Sequence, residues 1–123
     1  MIQRRKRNAS DQKPTRYYST EQEKSVAKNL GGKRQPNSGA TMFAKGDVVA
    51  DNWLIECKVK TTHSDSMSIK KSWIEKNATE ALFLGKPFGA IAFSFGPGEE
   101  NYYIIDEDTM VLLINLLEKN SAN

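Results

Sequence analysis

The chain has 123 residues, of which 38% are hydrophobic and 27% are charged, with one cysteine and one histidine. This length suits a single domain with its own core, so neither disulfides nor a structural metal is needed for folding. The single Cys57 and the single His63 exclude a disulfide framework and a Cys/His zinc site within one chain. Any metal site must therefore use mainly oxygen ligands, which favours a hard ion such as Mg²⁺.

Charge is distributed unevenly along the chain. Residues 1–45 hold eleven lysines and arginines against three acidic residues, whereas residues 46–123 hold seven against twelve. A basic N-terminal segment indicates a polyanionic partner, usually nucleic acid, with a solubilising tail as the alternative. Residues 1–18 are polar and aperiodic, which predicts a disordered arm that orders on a phosphate backbone. We find no apolar run near the ~18 residues of a membrane span and no apolar segment behind the basic N-terminus, so we expect a cytoplasmic protein without a membrane partner.

The first predicted helix has its N-cap at residue 19 or 20 and ends near Leu30, before two glycines. Within it, Glu23 lies three and seven residues before Val26 and Leu30. It therefore shares their apolar face, where a carboxylate needs an explanation. Residues 31–46 are predicted to form a loop with a short edge strand near 33–35, and a loop of this length is typical of a functional segment.

Two strands are predicted over 46–50 and 53–60, joined by a hairpin turn at Asp51 and Asn52. A second helix follows over 66–84, with Ser66 or Ser68 as its cap. The predicted apolar face of this helix consists of Ile69, Trp73, Ile74, Ala78, Ala81 and Leu82.

The remaining elements are a buried central strand over 88–95, a short strand over 102–105 and a helix capped by Asp106 that runs to about residue 117. Helices and strands alternate along the chain without an internal repeat. This order predicts one domain over residues 19–119 of the α/β (α+β mixed) class, with a central mixed β-sheet flanked by helices.

Alternation along the strand 53–60 divides its side chains between two faces. One face carries Trp53, Ile55, Cys57 and Val59, and the other carries Leu54, Glu56, Lys58 and Lys60. If the turn is centred between residues 51 and 52, Asp47 lies directly opposite Glu56 with Cβ atoms ~4.5–5.5 Å apart, and the two charges repel unless a cation lies between them. Lys58, two positions further on, reaches the same place.

Two carboxylates and a lysine on adjacent strands suit metal-assisted attack of water on a phosphodiester. The alternative is an ordinary Glu-x-Lys pair on a solvated strand, and a shift of the turn by one residue would remove the pairing of Asp47 with Glu56. Cys57 shares the core face, so we interpret it as a small core side chain and not as a nucleophile. We interpret His63 as a surface or DNA-contacting residue and not as a general base.

The combined pattern resembles a known active site. It consists of Glu23, Asn37-Ser38-Gly39, Lys45-Gly46-Asp47-Val48 and Ile55-Glu56-Cys57-Lys58. This combination is similar to the active-site pattern of the PD-(D/E)XK nuclease superfamily, and most similar to phage-encoded and archaeal-type Holliday junction resolvases. The likeness covers roughly residues 19–95 and implies a restriction-endonuclease-like core. The sequence departs from the pattern at Gly46, which stands where the motif has proline.

The resemblance implies a role for each matching residue. The metal ligands for Mg²⁺, with Mn²⁺ as a substitute, are Glu23, Asp47, Glu56 and the main-chain carbonyl of Cys57. Lys58 assists the hydrolytic water, and Ser38 lies near the scissile phosphate. The basic residues expected to contact DNA are Arg4, Arg5, Lys6, Arg7, Arg16, Lys33, Arg34, Lys45 and Lys60.

The function implied by the resemblance is hydrolysis of phosphodiester bonds in branched DNA, such as a four-way junction. Two symmetric cuts imply a two-fold homodimer, with Ile91, Phe93 or the last helix as candidates for the interface. Two alternatives remain open at this point: a catalytically silent DNA-binding or assembly module of the same fold, and a nuclease acting on another DNA structure.

Overall fold

The computed structural model describes residues 14–35 and 47–121. Within these ranges the elements are α1 (Thr15–Leu30), β1 (Lys33–Arg34), β2 (Asp47–Val49), β3 (Trp53–Val59), α2 (Lys71–Phe83), β4 (Phe88–Ser94), β5 (Tyr102–Ile104) and α3 (Glu107–Ser121). The predicted mixed class, with a central sheet flanked by helices, is confirmed. No helix in the described ranges is both long enough and apolar enough to cross a membrane.

The described strands form one mixed sheet in the spatial order β1-β2-β3-β4-β5. Neighbouring strands are antiparallel except for β3 and β4, which are parallel. Parallel neighbours require a crossover connection, and α2 provides it. The short edge strand predicted near residues 33–35 is confirmed as β1, and the strand predicted over 88–95 is confirmed as β4 inside the sheet.

The central strand β3 is buried on both faces. On one face Ile55 packs with Val26 of α1, and on the other Leu54 packs with Ala81 of α2. The predicted alternation of side chains is therefore confirmed, but the face that carries Glu56 is covered by α2 and is not solvated. A strand covered on both faces reads as an almost continuous apolar run, and Glu56 stands out because it interrupts that run.

Helix α1 begins at Thr15, several residues before the predicted start, so the prediction of a disordered arm is wrong for residues 15–18. Pro14 precedes it with φ −57° and ψ 150°, and none of the described side chains caps the helix. Proline is well suited to a helix N-terminus because its fixed φ is already helical and it has no N–H group to satisfy. The predicted end is confirmed, because Gly31 adopts the left-handed conformation with φ 67°.

Helix α2 begins at Lys71 and not near residue 66, so the predicted caps at Ser66 and Ser68 are wrong. Lys70, just before the helix, is extended, with ψ 132°. The inward face also differs from the prediction, since Ile74 and Leu82 are 39% and 81% exposed. The residues that α2 buries are Asn77, Glu80 and Ala81.

Helix α3 is capped as predicted, since the Thr109 N–H donates to Asp106 Oδ1 at 2.8 Å. It runs to Ser121, beyond the predicted end near residue 117. Among its residues Thr109 is buried, and Leu113 lines a cavity together with Trp53 and Tyr103. The exposed large apolar side chains of α3 are Met110, Val111, Leu112, Ile114, Leu116 and Leu117.

A tight contact between β4 and α2 provides a test of this packing. A Cβ atom added to Gly89 would lie 2.2 Å from Asn77 Oδ1. Asn77 cannot easily move, because its Nδ2 donates to the Leu54 carbonyl at 3.2 Å in a buried position. We expect Gly89→Ala to lower the free energy of unfolding, measured in urea, by about 1–3 kcal/mol.

The matched background for that variant is Asn77→Ala, which removes the side-chain amide that a Cβ atom at position 89 would contact. There, Gly89→Ala should cost clearly less, so the double-mutant cycle should show coupling between the two positions. Equal costs in both backgrounds would contradict the contact between them.

Candidate active site

Asp47 of β2 and Glu56 of β3 are directly opposed in the antiparallel ladder. Their neighbours Val48 and Ile55 point into the core on the α1 side, so alternation places both carboxylates on the α2 side. Asp47 is 3% exposed and Glu56 is 5% exposed. The predicted pairing is confirmed, and burial makes it more costly than a pairing of like charges on a surface.

Burial and mutual repulsion raise the pKa values of this pair. Burial, followed by the Glu56 charge and then the Glu80 charge, raises the pKa of Asp47 to about 8. Burial also raises the pKa of Glu56, although Lys58 and Lys76 act in the opposite direction. Two acids held together in this way bind a cation or a proton in preference to remaining bare.

Glu80 and Lys76 of α2 extend the site, and sequence reasoning missed both. Glu80 is 2% exposed. Lys76 Nζ lies 3.7 Å from Glu80 Oε1 and 3.8 Å from Glu56 Oε1, and the Lys76 side chain itself is 62% exposed. The available signal was the spacing, because Glu80 lies seven residues after Trp73 and three after Asn77, on one face of the helix.

Several carboxylate oxygens in this cluster lack hydrogen bonds. Glu56 Oε2 and both oxygens of Glu80 are shielded from solvent and have no hydrogen-bond partner among residues 14–35 and 47–121. A buried charged oxygen without a partner is costly. The exposed ammonium of Lys76, beyond hydrogen-bonding distance from Glu56 and Glu80, compensates them only in part.

Lys58 is held from both sides of the sheet. Its Nζ lies 4.6 Å from the centre of the Trp73 ring of α2, a cation–π contact. Its carbonyl oxygen accepts a hydrogen bond of 2.7 Å from Gln22 Nε2 of α1. Gln22 is buried. Sequence reasoning did not identify Gln22 or Trp73, whose roles depend on packing between distant segments.

Glu23 lies on the buried face of α1, as predicted, and is 6% exposed. Arg34 of β1 holds it, with Nε 3.2 Å from Glu23 Oε1. Burial raises the pKa of Glu23 despite the opposing charges of Arg34 and Arg16. Arg34, which the sequence suggested as a DNA contact, is thus an ion-pair partner in this structure, and the metal-binding role of Glu23 stays a prediction.

Cys57 is subject to the charges of these acidic groups. Its pKa is raised by burial first, and then by the charges of Glu23, Asp47 and Glu56. A neutral thiol packed beside the α1-side core cluster agrees with the predicted core role and not with a nucleophile. The metal-binding role of its carbonyl stays a prediction.

The fit of these residues to a divalent cation depends on the donor set. Among residues 14–35 and 47–121, no three histidine, cysteine, aspartate or glutamate side chains are placed to hold one ion together. Mg²⁺, however, is usually bound through one or two carboxylates and keeps several waters. Asp47 and Glu56, which are buried and directly opposed in the ladder, fit such an ion, and Glu56 Oε2 has no hydrogen-bond partner among the described residues.

The other predicted residues lie further out or outside the described ranges. Lys33 is exposed on β1, Lys60 follows β3, and Arg16 lies in the first turn of α1. His63 is on the surface and pairs with Glu99. The predictions for Arg4, Arg5, Lys6, Arg7, Ser38 and Lys45 fall outside the described residues.

Comparison with known proteins adds no further assignment to this site. No family model, no curated protein and no solved structure matches the chain.

Proposed function

We propose that the chain is a magnesium-dependent endonuclease that hydrolyses phosphodiester bonds in branched DNA, such as a four-way junction. The observation that carries the proposal is the buried, register-opposed pair of Asp47 and Glu56 with Lys58 beside it. A fold does not retain two buried like charges on opposed positions for stability, because they repel and lose hydration there. A bound cation would offset the repulsion between the two carboxylates, so a cation-binding site accounts for this arrangement.

The arrangement of elements supports the same proposal. The chain runs from α1 through the antiparallel pair β2–β3 and across α2 to the parallel strand β4. Asp47 lies on β2, and Glu56 and Lys58 lie on β3. The resemblance to the PD-(D/E)XK nucleases predicts this placement. A restriction-endonuclease-like core is therefore part of what we propose.

In this mechanism Asp47 and Glu56 are the residues that would hold Mg²⁺. The chemistry that Mg²⁺ supplies when bound is Lewis-acid polarisation of a phosphate oxygen and of the attacking water. Lys58 brings a preorganised positive charge to the same face and offsets negative charge that develops on the phosphate. Gln22 and Trp73 fix the backbone and the ammonium of Lys58, so little reorganisation is needed during the reaction.

The proposed substrate is a polyanion, and the basic residues of the N-terminal segment supply the matching charge. Among these basic residues, exposed Lys33 lies on β1 and Arg16 lies in the first turn of α1. Phosphate contacts of this kind give affinity without reading sequence, which suits recognition of a DNA shape.

The test is cleavage of four-way junction, nicked, single-stranded and linear duplex DNA side by side, with Mg²⁺, with Mn²⁺ and with EDTA. We expect metal-dependent cuts, symmetric on the junction. Cuts confined to another DNA structure would favour a different nuclease. Tight junction binding with no cleavage under any metal would favour a silent binding module and overturn the enzymatic proposal.

The two-fold dimer implied by the substrate has a candidate surface in α3. Of the predicted interface residues, Ile91 is excluded because it is 1% exposed, and half-buried Phe93 is packed between Phe95 and Tyr102. Apolar residues surround α3 on most sides, and six of them are at least 40% exposed. A helix that is apolar all round is normally buried, and we propose that the α3 of a second copy covers it.

Light scattering coupled to size exclusion tests this interface. We expect the native chain to be a dimer at micromolar concentration and Leu117→Glu to weaken dimerisation at least tenfold, since a charge would enter an apolar contact. Asn115→Glu, which adds the same charge to an already polar position of α3, is the matched control and should change dimerisation less. A monomeric native chain would contradict the proposal.

A further inference from the structure

The cation site proposed above includes a carboxylate that the sequence pattern does not assign. Glu80 lies on α2, which crosses over the face of the sheet that carries Asp47 and Glu56. Its charge acts on both of those acids. It is 2% exposed, and both of its oxygens lack a hydrogen-bond partner in the described part of the chain. A side chain this deeply buried has a strong requirement for a partner, which the described residues supply only through Lys76.

Glu23, which the resemblance places in the metal shell, is already satisfied elsewhere. The Arg34 guanidinium binds it at 3.2 Å. The charges that act on Asp47 come from Glu56, Glu80, Lys76 and Lys58, and Glu23 is not among them. The further acid whose charge acts on Asp47 and Glu56 is therefore Glu80 of α2 and not Glu23 of α1.

We propose that Glu80, and not Glu23, is the third carboxylate of the divalent-cation site, and that it supports Asp47 and Glu56 through water on the ion. The inference rests on the proposed function. Because no three described acids converge on one point, Glu80 acts through the waters that Mg²⁺ retains, accepting hydrogen bonds from them. Its two unpaired oxygens provide the acceptors.

Lys76 then has a defined role in the protein without metal. Its ammonium lies within 4 Å of both Glu56 and Glu80, and its largely exposed side chain enters the cluster from solvent. It is the counter-ion that a divalent cation replaces, and its long stem can turn back into water when the ion binds. Lys76 and the ion therefore compete for the same two carboxylates.

The experiment measures binding of Mn²⁺ and of Mg²⁺ alone to the full chain, by thermal unfolding at a series of metal concentrations, without DNA. A ligand of the folded state raises the melting temperature by mass action, and the concentration dependence gives an apparent dissociation constant. The variants are Glu80→Gln, Glu23→Gln, Asp47→Asn and Lys76→Met.

We expect the apparent dissociation constant to rise at least tenfold in Glu80→Gln, to change less than twofold in Glu23→Gln, and to fall in Lys76→Met. Without metal, Glu80→Gln should melt at the same temperature as the native chain or higher, because it removes a buried charge. A purely structural role for Glu80 would instead lower the melting temperature without metal and leave metal affinity unchanged.

Two outcomes overturn the inference. They are an unchanged metal affinity in Glu80→Gln, and the absence of any metal-induced shift in the native chain. If Asp47→Asn loses metal affinity and Glu80→Gln retains it, the metal site stands and only the role proposed for Glu80 is refuted. Retention in Asp47→Asn as well would remove the metal site of the proposed function.

Discussion

Asp47→Asn should abolish DNA cleavage, with a loss of at least about 10³-fold in rate, while the protein remains folded and binds a junction as well as before or more tightly. The cleavage loss follows because one of the two opposed carboxylates proposed to hold the ion is gone. Retained binding follows because Asn keeps the size of Asp and adds no negative charge near the DNA backbone, and tighter binding should appear above pH 8, where Asp47 is ionised. Single-turnover cleavage in Mg²⁺ and fluorescence anisotropy in EDTA measure the two effects.

The stability of the same variant provides its control. Asn has nearly the shape of Asp, and the substitution removes a buried acid whose ionisation is opposed by burial first and then by the directly opposed Glu56. We therefore expect the free energy of unfolding of the metal-free protein to rise by about 1 kcal/mol. Full cleavage by Asp47→Asn in Mg²⁺ would remove this residue from the active site.

The pairing of Asp47 with Glu56 could be predicted because a hairpin turn fixes register. Ala50 and Trp53 exchange main-chain hydrogen bonds of 3.0 and 3.4 Å around a two-residue loop. Once the loop is known to be Asp51-Asn52, every opposed pair follows by counting. The local sequence around the turn is therefore sufficient to predict that Asp47 and Glu56 are directly opposed.

The α2 part of the site could not be predicted from hydrophobic periodicity. The pattern pointed to Ile74 and Leu82, which the structure exposes. The inward positions include Asn77 and Glu80 because this face of α2 covers polar groups, namely the Leu54 carbonyl and the acidic pair. A method that takes apolar residues to be buried fails where a helix covers a functional site.

Side-chain contacts between α1 and the sheet also could not be predicted from the sequence. The contact of Arg34 with Glu23 joins residues eleven apart across β1 and α1, and that of Gln22 with Lys58 spans thirty-six residues. Neither pair has a periodic signature, because each depends on how α1 docks against the sheet. The sequence pattern placed Glu23 on the buried face correctly but contained nothing to indicate that Arg34 satisfies it there.

Lys58→Ala should lower the cleavage rate by about two orders of magnitude or more. The substitution removes a preorganised positive charge beside the proposed cation site without removing a proposed ligand, and the loss of one such group typically costs this much. Junction affinity should fall only slightly, by about the value of one phosphate-side charge. Metal affinity should stay constant or rise, because the ion no longer meets a like charge.

Three comparisons isolate the role of the Lys58 ammonium. Lys28→Ala, at an exposed position in the last turn of α1, makes the same change of charge and should leave the rate unchanged. Lys58→Arg keeps the charge, so partial recovery of the rate would indicate charge stabilisation, whereas no recovery would indicate that orientation of the nucleophile by the amine matters. Trp73→Leu removes the aromatic face that holds the ammonium at 4.6 Å and should lower the rate less than Lys58→Ala does. Equal cleavage by the native chain and by Lys58→Ala would refute the role assigned to Lys58, and the attacking water would then have to be oriented by a carboxylate or by the DNA.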